Sequence, residues 1–214
     1  ERFPVAQSAI ETGRETFKAI AANFASSSWS TIKGNGTEAE KRMIRATQAS
    51  DQAATAMAMD QQDWNQAEQL LATSNTLLDE VSSLMRSITE LQKNLLQAKV
   101  DAPQEIAAAE KDLQQAIEYE SQYDDDIDDS VKQRLKQAAM EIAEANEELG
   151  ELMPDYLHVL KVAQAAHAAA DTILNDERSA HEIAERQRQK AASLMRDAEH
   201  GRRWQSALQH RRAL

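Results

Sequence analysis

Residues 63–100 (DWNQAEQLLATSNTLLDEVSSLMRSITELQKNLLQAKV) decide the fold, because their apolar side chains recur with heptad spacing. Two core positions hold small and large apolar residues and one serine: Trp64, Leu71, Leu78 and Met85, then Ala67, Ser74, Val81, Ile88 and Leu95. A third, flanking position holds only leucine: Leu70, Leu77, Leu84 and Leu91. A stripe three positions wide needs two or more partner helices. The pattern therefore predicts a central helix about 55 Å long, with shorter helices packed along it.

The composition favours an all-α fold for the whole chain. Its 214 residues are 42% apolar, but only 4% are aromatic, and five glycines and three prolines leave few residues for the turns of a sheet. Alanine, glutamate, glutamine, leucine, lysine and arginine, all good helix formers, dominate. We therefore predict an elongated helical bundle of about six helices, arranged as two three-helix units with a long central helix.

The predicted helices alternate with short connections along the chain. They cover residues 4–25, 37–59, 63–100 and 103–122, then a fifth ending near Leu152 and a sixth starting at Pro154. Pro103 is expected to open a new helix, because proline is tolerated in a first turn. The fourth helix is predicted to turn Ile106, Leu113 and Ile117 inward. Ser74 is predicted to bond back to the preceding turn of its own helix.

Two parts of the chain repeat at a shift of 92 residues. At this shift, residues 42–82 align in sequence with residues 134–174, and Asp63-Trp64 aligns with Asp155-Tyr156. Both aspartates are predicted as helix N-caps, and both aromatic residues as core anchors. Repeated helical units stack and share a continuous core. The predicted organisation is therefore one unit at residues 1–100, a second at 103–177 that shares the core of the first, and a basic helical tail at 178–214.

Charge is divided unevenly between the predicted body and the predicted tail. The net charge of −12 argues against nucleic-acid binding, which needs a positive surface. Residues 178–214 contain 9 Lys and Arg against 4 Asp and Glu, whereas residues 1–177 contain 15 against 32. The tail is therefore predicted to contact the acidic body of its own chain, another protein, a second copy of this chain, or an anionic membrane surface. Its predicted interaction residues are Arg186, Arg188, Lys190, Arg202, Arg203 and Trp204.

The sequence predicts no catalytic residues and no cofactor. Cysteine is absent, and none of the five histidines has a second histidine four residues away, as a helical zinc site needs. One acidic run, at residues 124–129, is open to two interpretations. Asp124, Asp126 and Asp128 either bind a divalent cation through carboxylate oxygens or cap the N-terminus of the fifth helix. The run lacks the glycine and the distant glutamate of an EF-hand loop.

Several short segments resemble a known helical region. They are residues 24–40 (FASSSWSTIKGNGTEAE), the Asp63-Trp64 pair, residues 154–157 (PDYL), and the later Ala170-Asp171 and Ile173-Leu174 pairs. Together they resemble the helical-repeat region of some bacterial TPM-domain proteins, which are membrane-associated and join a small α/β domain to helical repeats. A looser likeness is to spectrin-type three-helix repeats. The resemblance implies a helical spacer or interaction region near a bacterial cell envelope.

The wide stripe, the repeat and the lack of a catalytic arrangement point to one kind of function. We predict a non-enzymatic helical scaffold or protein-interaction module, part of a larger envelope-associated bacterial protein. The first alternative is a self-assembling structural subunit. The second is a helical binding protein with a cation or another ligand at the acidic run.

Overall fold

The computed structural model describes residues 2–58 and 61–212, and for residues 201 and 204–212 it describes the backbone alone. The described residues form five α-helices and no β-strand, which confirms the predicted all-α fold. The helices are α1 (Arg2–Asn23), α2 (Asn35–Ala56), α3 (Trp64–Gln122), α4 (Asp129–Leu149) and α5 (Tyr156–Arg212). Two 3-10 helices, Ser26–Ile32 and Asp124–Asp126, lie in the connections after α1 and α3.

The predicted helix count of about six is wrong at one place, the break expected before Pro103. α3 is 59 residues long and continues through Pro103. Proline inside a helix lacks the backbone N–H of one hydrogen bond and costs about 3 kcal/mol. Its neighbours Ala102 and Ile106 are almost fully buried, at 0% and 3% exposure. Burial along the continuous helical face on both sides of the proline offsets that cost.

The chain divides into two compact units. Unit 1 contains Glu1–Gln104 and Ala145–Lys161, and unit 2 contains Glu105–Glu144 and Val162–Leu214. The predicted arrangement of a unit at 1–100, a unit at 103–177 and a tail at 178–214 stays a prediction.

In unit 1, α1 and α2 pack on the first part of α3. Arg2 of α1 donates to Asn75, and a Cβ at Gly13 would lie 2.5 Å from the sulfur of Met85, so α1 runs in the same direction as α3. Asn35 of α2 donates to Ser87 of α3, at the other end of the same surface. The core contains residues of all three helices and of the first 3-10 helix: Ala6, Ile10, Ile20, Phe24, Ile32, Ala39, Ala46, Leu77, Leu78, Val81, Met85, Ile88 and Leu95.

The sequence predicted that the hydroxyl of Ser74 bonds within its own helix, and this prediction is wrong. Ser74 is 3% exposed, and its Oγ donates to the backbone carbonyl oxygen of Ala46 on α2 at 2.9 Å. The small side chains of Ser74 and Ala46 let the two helices approach closely enough for this bond. The prediction failed because it considered only the residues one turn away on the same helix.

In unit 2, the second part of α3 packs with α4 and α5. The buried side chains are short and mostly aliphatic: Ile106, Ala109, Leu113, Ala116, Ile127, Val131, Leu135, Ala138, Ile142, Ala163, Ala166, Ala170, Ile173 and Leu174. Ile117, predicted to face inward, is 40% exposed. Leu152 was predicted to continue the stripe of the fifth helix, but α4 ends at Leu149 and Leu152 is 99% exposed.

None of the described helices combines the length and the apolar character that a bilayer-spanning segment needs.

Candidate protein interface

An open groove lies in unit 1 near the start of α3. Its volume is about 420 Å³, and it is lined by Met57, Trp64, Ala67, Glu68, Leu71, Ala72 and Asn75. α1 meets α3 through Arg2, which donates to Asn75 at 2.8 Å and pairs with Asp79. The groove lies on the part of α3 that precedes Asn75. On that part of α3, α2 packs against one edge of the apolar stripe. No described helix packs against the other edge, where α1 packs farther along α3.

Large apolar side chains are exposed in this groove. Trp64 is 62% exposed, Leu71 40% and Met57 38%. The sequence predicted Trp64 and Leu71 as core residues, and both predictions are wrong because α1 reaches the stripe only at Asn75. Single exposed apolar residues are common on protein surfaces, whereas several that share one concave surface mark an interaction site.

The lining of the groove contains one charged residue, Glu68, while Arg2 lies at the α1 end of the groove, hydrogen-bonded to Asn75. The 40 residues from position 46 to 85 contain no Lys, Arg or His, and they contain six acidic residues: Asp51, Asp60, Asp63, Glu68, Asp79 and Glu80. Asp79 pairs with Arg2 and Glu80 with Arg42, and Asp63 accepts from the backbone N–H of Gln66. Glu68 lines the groove and forms no ion pair with any described residue. The groove therefore favours an apolar ligand that also carries positive charge.

The three aspartates that were candidate cation ligands each have a separate partner. Asp124 pairs with Lys132, which holds the pKa of Asp124 below its usual range. Asp128 accepts from the backbone N–H of Ser130 at 2.7 Å, and this bond lowers the pKa of Asp128. That bond satisfies a backbone donor at the start of α4, as the capping interpretation expects.

Asp126, the middle one of the three, is held by two side chains of α5. Arg188 donates to both carboxylate oxygens at 2.7 Å, and Nδ1 of His181 lies 2.8 Å from Oδ2. The hydrogen bonds from Arg188, then from His181, lower the pKa of Asp126 to about 2. His181 also stacks against Tyr123, with 3.9 Å between ring centroids. Arg188, predicted as an interaction residue, is thus engaged within unit 2.

The other predicted interaction residues of α5 are differently placed. Arg186 pairs with Glu182 one turn away and is well exposed. Lys190, Arg202 and Arg203 are exposed, and the side chain of Trp204 lies outside the described part of the chain. The predicted tail therefore keeps exposed positive charge beyond its ion pair with Asp126.

A histidine in unit 2 links two helices and was not singled out by the sequence. Nδ1 of His167 lies 2.7 Å from Glu105, and its Nε2 lies 2.8 Å from Asp112. The hydrogen bond to Glu105 is the main cause of the raised pKa of His167. Asp171 lies close enough to complete a three-residue metal ligand set with Asp112 and His167. As an imidazolium, however, His167 already satisfies both ring nitrogens, so the network is complete as an ion pair.

One buried carboxylate in unit 2 has no partner among the described residues. Glu177 is 0% exposed, and neither of its carboxylate oxygens is hydrogen-bonded. Burial, then the negative charge of Glu120, raises the pKa of Glu177 to about 7, while Arg134 and Arg178 act in the opposite direction. Finding this residue from the sequence needs the register between α5 and its neighbours, which the heptad pattern does not supply.

Comparison of the chain with protein-family models, with curated proteins and with solved structures found no significant match. The resemblance to the helical region of TPM-domain proteins and to spectrin-type repeats stays a prediction.

Proposed function

We propose that this chain is a non-enzymatic helical scaffold that binds a partner protein through the groove near the start of α3. The partner segment is an amphipathic helix with an apolar stripe and basic residues beside it. The observation that carries the proposal is the shared exposure of Met57, Trp64 and Leu71 in one groove on a bundle that lacks its third helix there.

The packing of unit 1 supports a helix as the ligand. From Asn75 onward, the third side of α3 is covered by α1, and Val81 and Met85 are buried there. Before Asn75 the same stripe continues for about three turns without that cover. An apolar helix lying in the groove would extend the three-helix packing along α3. Glu68 in the groove favours a basic rather than an acidic helix.

A designed peptide tests this proposal directly. The probe is a labelled 18-residue helical peptide with a leucine stripe and lysine on its polar face, and its partner probe carries glutamate in place of lysine. We expect micromolar binding of the basic peptide by fluorescence anisotropy, and weaker binding of the acidic peptide. Leu71→Glu should weaken basic-peptide binding at least tenfold.

The matched control is Leu96→Glu, since Leu96 is an exposed leucine of α3 outside the groove. Circular dichroism should show unchanged helicity for both variants. Equal peptide binding by the Leu71→Glu and Leu96→Glu variants, or no binding of either peptide by the unaltered chain, would refute the proposed function. Placement near a bacterial cell envelope remains a prediction from the resemblance alone.

A further inference from the structure

We propose that the groove near the start of α3 binds α5 of a second copy of this chain, through the surface of α5 between residues 183 and 198. This inference rests on the proposed function and names the partner. It is carried by a second exposed apolar surface on the same chain, whose charge is opposite to that of the groove.

The exposed surface of α5 faces away from the contacts that α5 makes within unit 2. His181 and Arg188, which hold Asp126, lie seven residues apart, about two turns, and thus on one side of α5. Ile183 and Leu194 lie eleven residues apart, about three turns, and thus share the opposite side. They are 54% and 60% exposed. This side of the helix is available to another molecule.

The two surfaces are complementary in charge. Residues 186–196 contain no acidic residue, and their Lys190 shares the side of Ile183, while Arg188 holds Asp126 on the other side. The lining of the groove contains the acidic Glu68 and no basic residue. Lys190 lies between Ile183 and Leu194 on the same side of α5, one residue before Ala191. A helix with Ile183, Ala191 and Leu194 against the groove would bring Lys190 near the carboxylate of Glu68. When the two surfaces meet, each buries exposed apolar area, and charges of opposite sign come close together.

The expected association is weak because the groove is short. The part of α3 that lines it, from Trp64 to Asn75, is about 17 Å long and accommodates about three turns of a partner helix. Such an interface is smaller than the roughly 800 Å² per partner of a standard protein interface. We expect a dissociation constant of about 10 to 500 µM at low salt, weakening as salt screens the charges.

The geometry makes the contact heterologous, since two different surfaces meet. Each copy then offers one groove and one α5 surface, so association produces open chains or rings rather than a symmetric dimer. A heterologous contact has a property that tests it: a copy with a damaged groove and a copy with a damaged α5 surface still form one intact contact together.

The experiment is sedimentation velocity of the full chain across protein concentrations from about 10 to 500 µM at low and high salt. The unaltered chain should associate progressively, and less at high salt. Leu71→Glu damages the groove and Leu194→Glu damages the α5 surface, so each variant alone should stay monomeric. An equimolar mixture of the two variants should form a 1:1 complex and nothing larger. Met140→Glu, on an exposed residue of α4, is the matched control and should associate like the unaltered chain.

Three outcomes would overturn the inference. The first is a chain that stays monomeric at every concentration, and the second is a mixture of the two variants that does not form a complex. The third is binding to phosphatidylserine vesicles that requires Leu194 in a chain that does not self-associate, which would assign α5 to a membrane surface. The Leu194→Glu variant separates this failure from failure of the proposed function, since its groove should still bind the basic peptide. Retained peptide binding without self-association would remove only the second copy as partner.

Discussion

At a shift of 92 residues, the first hairpin, α2 with the start of α3 (residues 42–82), aligns with the second hairpin, α4 with the start of α5 (residues 134–174). The second helices of the two hairpins begin alike but are covered differently. Asp63 accepts from the backbone N–H of Gln66 at 3.0 Å, and Asp155 accepts from that of His158 at 3.2 Å, so both aspartates cap a helix as predicted. The next residue is aromatic in both hairpins, yet only one of the two is covered.

Tyr156 and Trp64 show what determines this difference. Tyr156 packs edge-on against Phe24, with 6.1 Å between ring centroids, and Nζ of Lys99 lies 5.7 Å from its ring. Trp64 is 62% exposed in the groove. The cap and the aromatic residue are local features that the sequence shows, whereas cover depends on which other segment of unit 1 reaches that point. Trp64, the exposed aromatic residue, thus marks the part of the first hairpin that no third described helix covers.

The same shift relates a buried methionine to a buried glutamate. Met85 is 4% exposed and its sulfur fills the space beside Gly13, while Glu177, 92 residues later, is 0% exposed and has no hydrogen-bond partner among the described residues. Extending the 92-residue shift three residues past the repeat thus pairs an apolar, packed residue of unit 1 with an ionisable, unsatisfied residue of unit 2. Unit 2 should consequently respond to pH at a position where unit 1 does not.

The largest expected effect is at Leu77, which corresponds to Ala169 in the second hairpin. Leu77→Ala gives the first hairpin the residue of the second. Leu77 is 6% exposed, so the free energy of unfolding should fall by about 2–5 kcal/mol. Chemical unfolding followed by circular dichroism measures it, with the exposed Leu96→Ala as control within about 0.5 kcal/mol. An unchanged stability would show that the flanking stripe of α3 is not part of the core.

The next effect concerns Glu177, whose pKa of about 7 lies above its ordinary value of 4.5. Between these values the folded chain holds a proton that the unfolded chain releases, so the contribution of Glu177 to stability falls as pH rises from about 4.5 to 7. Glu177→Met places the residue of the first hairpin here. It should raise the free energy of unfolding by roughly 2–3 kcal/mol more at pH 8 than at pH 5.

Two controls sharpen this prediction. Glu177→Gln removes the same ionisation and should reduce the pH dependence similarly, while Glu182→Gln, at an exposed position, should not. The pKa of His167 is also raised, so its contribution to stability declines as pH rises above its ordinary pKa of 6.5, and this decline persists in every variant. Urea unfolding at pH 5 and pH 8 measures the difference. Identical pH profiles for the Glu177→Met variant and the unaltered chain would contradict the prediction.

A smaller effect is expected at Ser74, which corresponds to Ala166 in the second hairpin. Ser74→Ala removes the buried hydrogen bond from Oγ to the carbonyl oxygen of Ala46 and should cost about 1 kcal/mol. Ala166→Ser is the reciprocal change, and it should destabilise unit 2 unless its hydroxyl finds an acceptor. Thermal unfolding of both variants measures the two effects. A neutral Ser74→Ala would show that this bond between α2 and α3 adds nothing to stability.

The smallest effect is expected at Trp64. Trp64→Ala should change the free energy of unfolding by less than about 0.5 kcal/mol because the side chain is exposed. Tyr156→Ala, at the matching position, should cost about 2 kcal/mol because it removes the contact with Phe24. Denaturant unfolding of the two variants compares them. Equal costs would mean that the two aromatic residues are covered alike.

The sequence predicted the helices well because a helical repeat is a local property. Heptad spacing identified the buried face of α3 from Leu78 through Val81 and Met85 to Leu95. It failed at Pro103, where packing on both sides of the proline sustains the helix. The prediction succeeded where residues within a few turns determine the helix, and it failed where contacts with other helices determine it.

The candidate site was less predictable from the sequence. Exposure of Trp64 and Leu71 depends on where α1 meets α3, and burial of Glu177 depends on the register of three helices. The acidic run pointed to Asp126, but its partners His181 and Arg188 lie more than 50 residues away in sequence. Contacts between distant helices set these sites, and no periodic pattern in the sequence encodes them.

Disulfide trapping between two copies tests the central claim most directly, and the absence of native cysteine makes it simple. One variant carries Ala72→Cys in the groove, and the other carries Ala191→Cys on α5. After mixing under mild oxidation, the account predicts that the disulfide between positions 72 and 191 forms faster than either homodimer. It should also form faster than a disulfide between Gln97→Cys and Ala191→Cys. Equal rates for all of these pairs would contradict the docking of α5 in the groove.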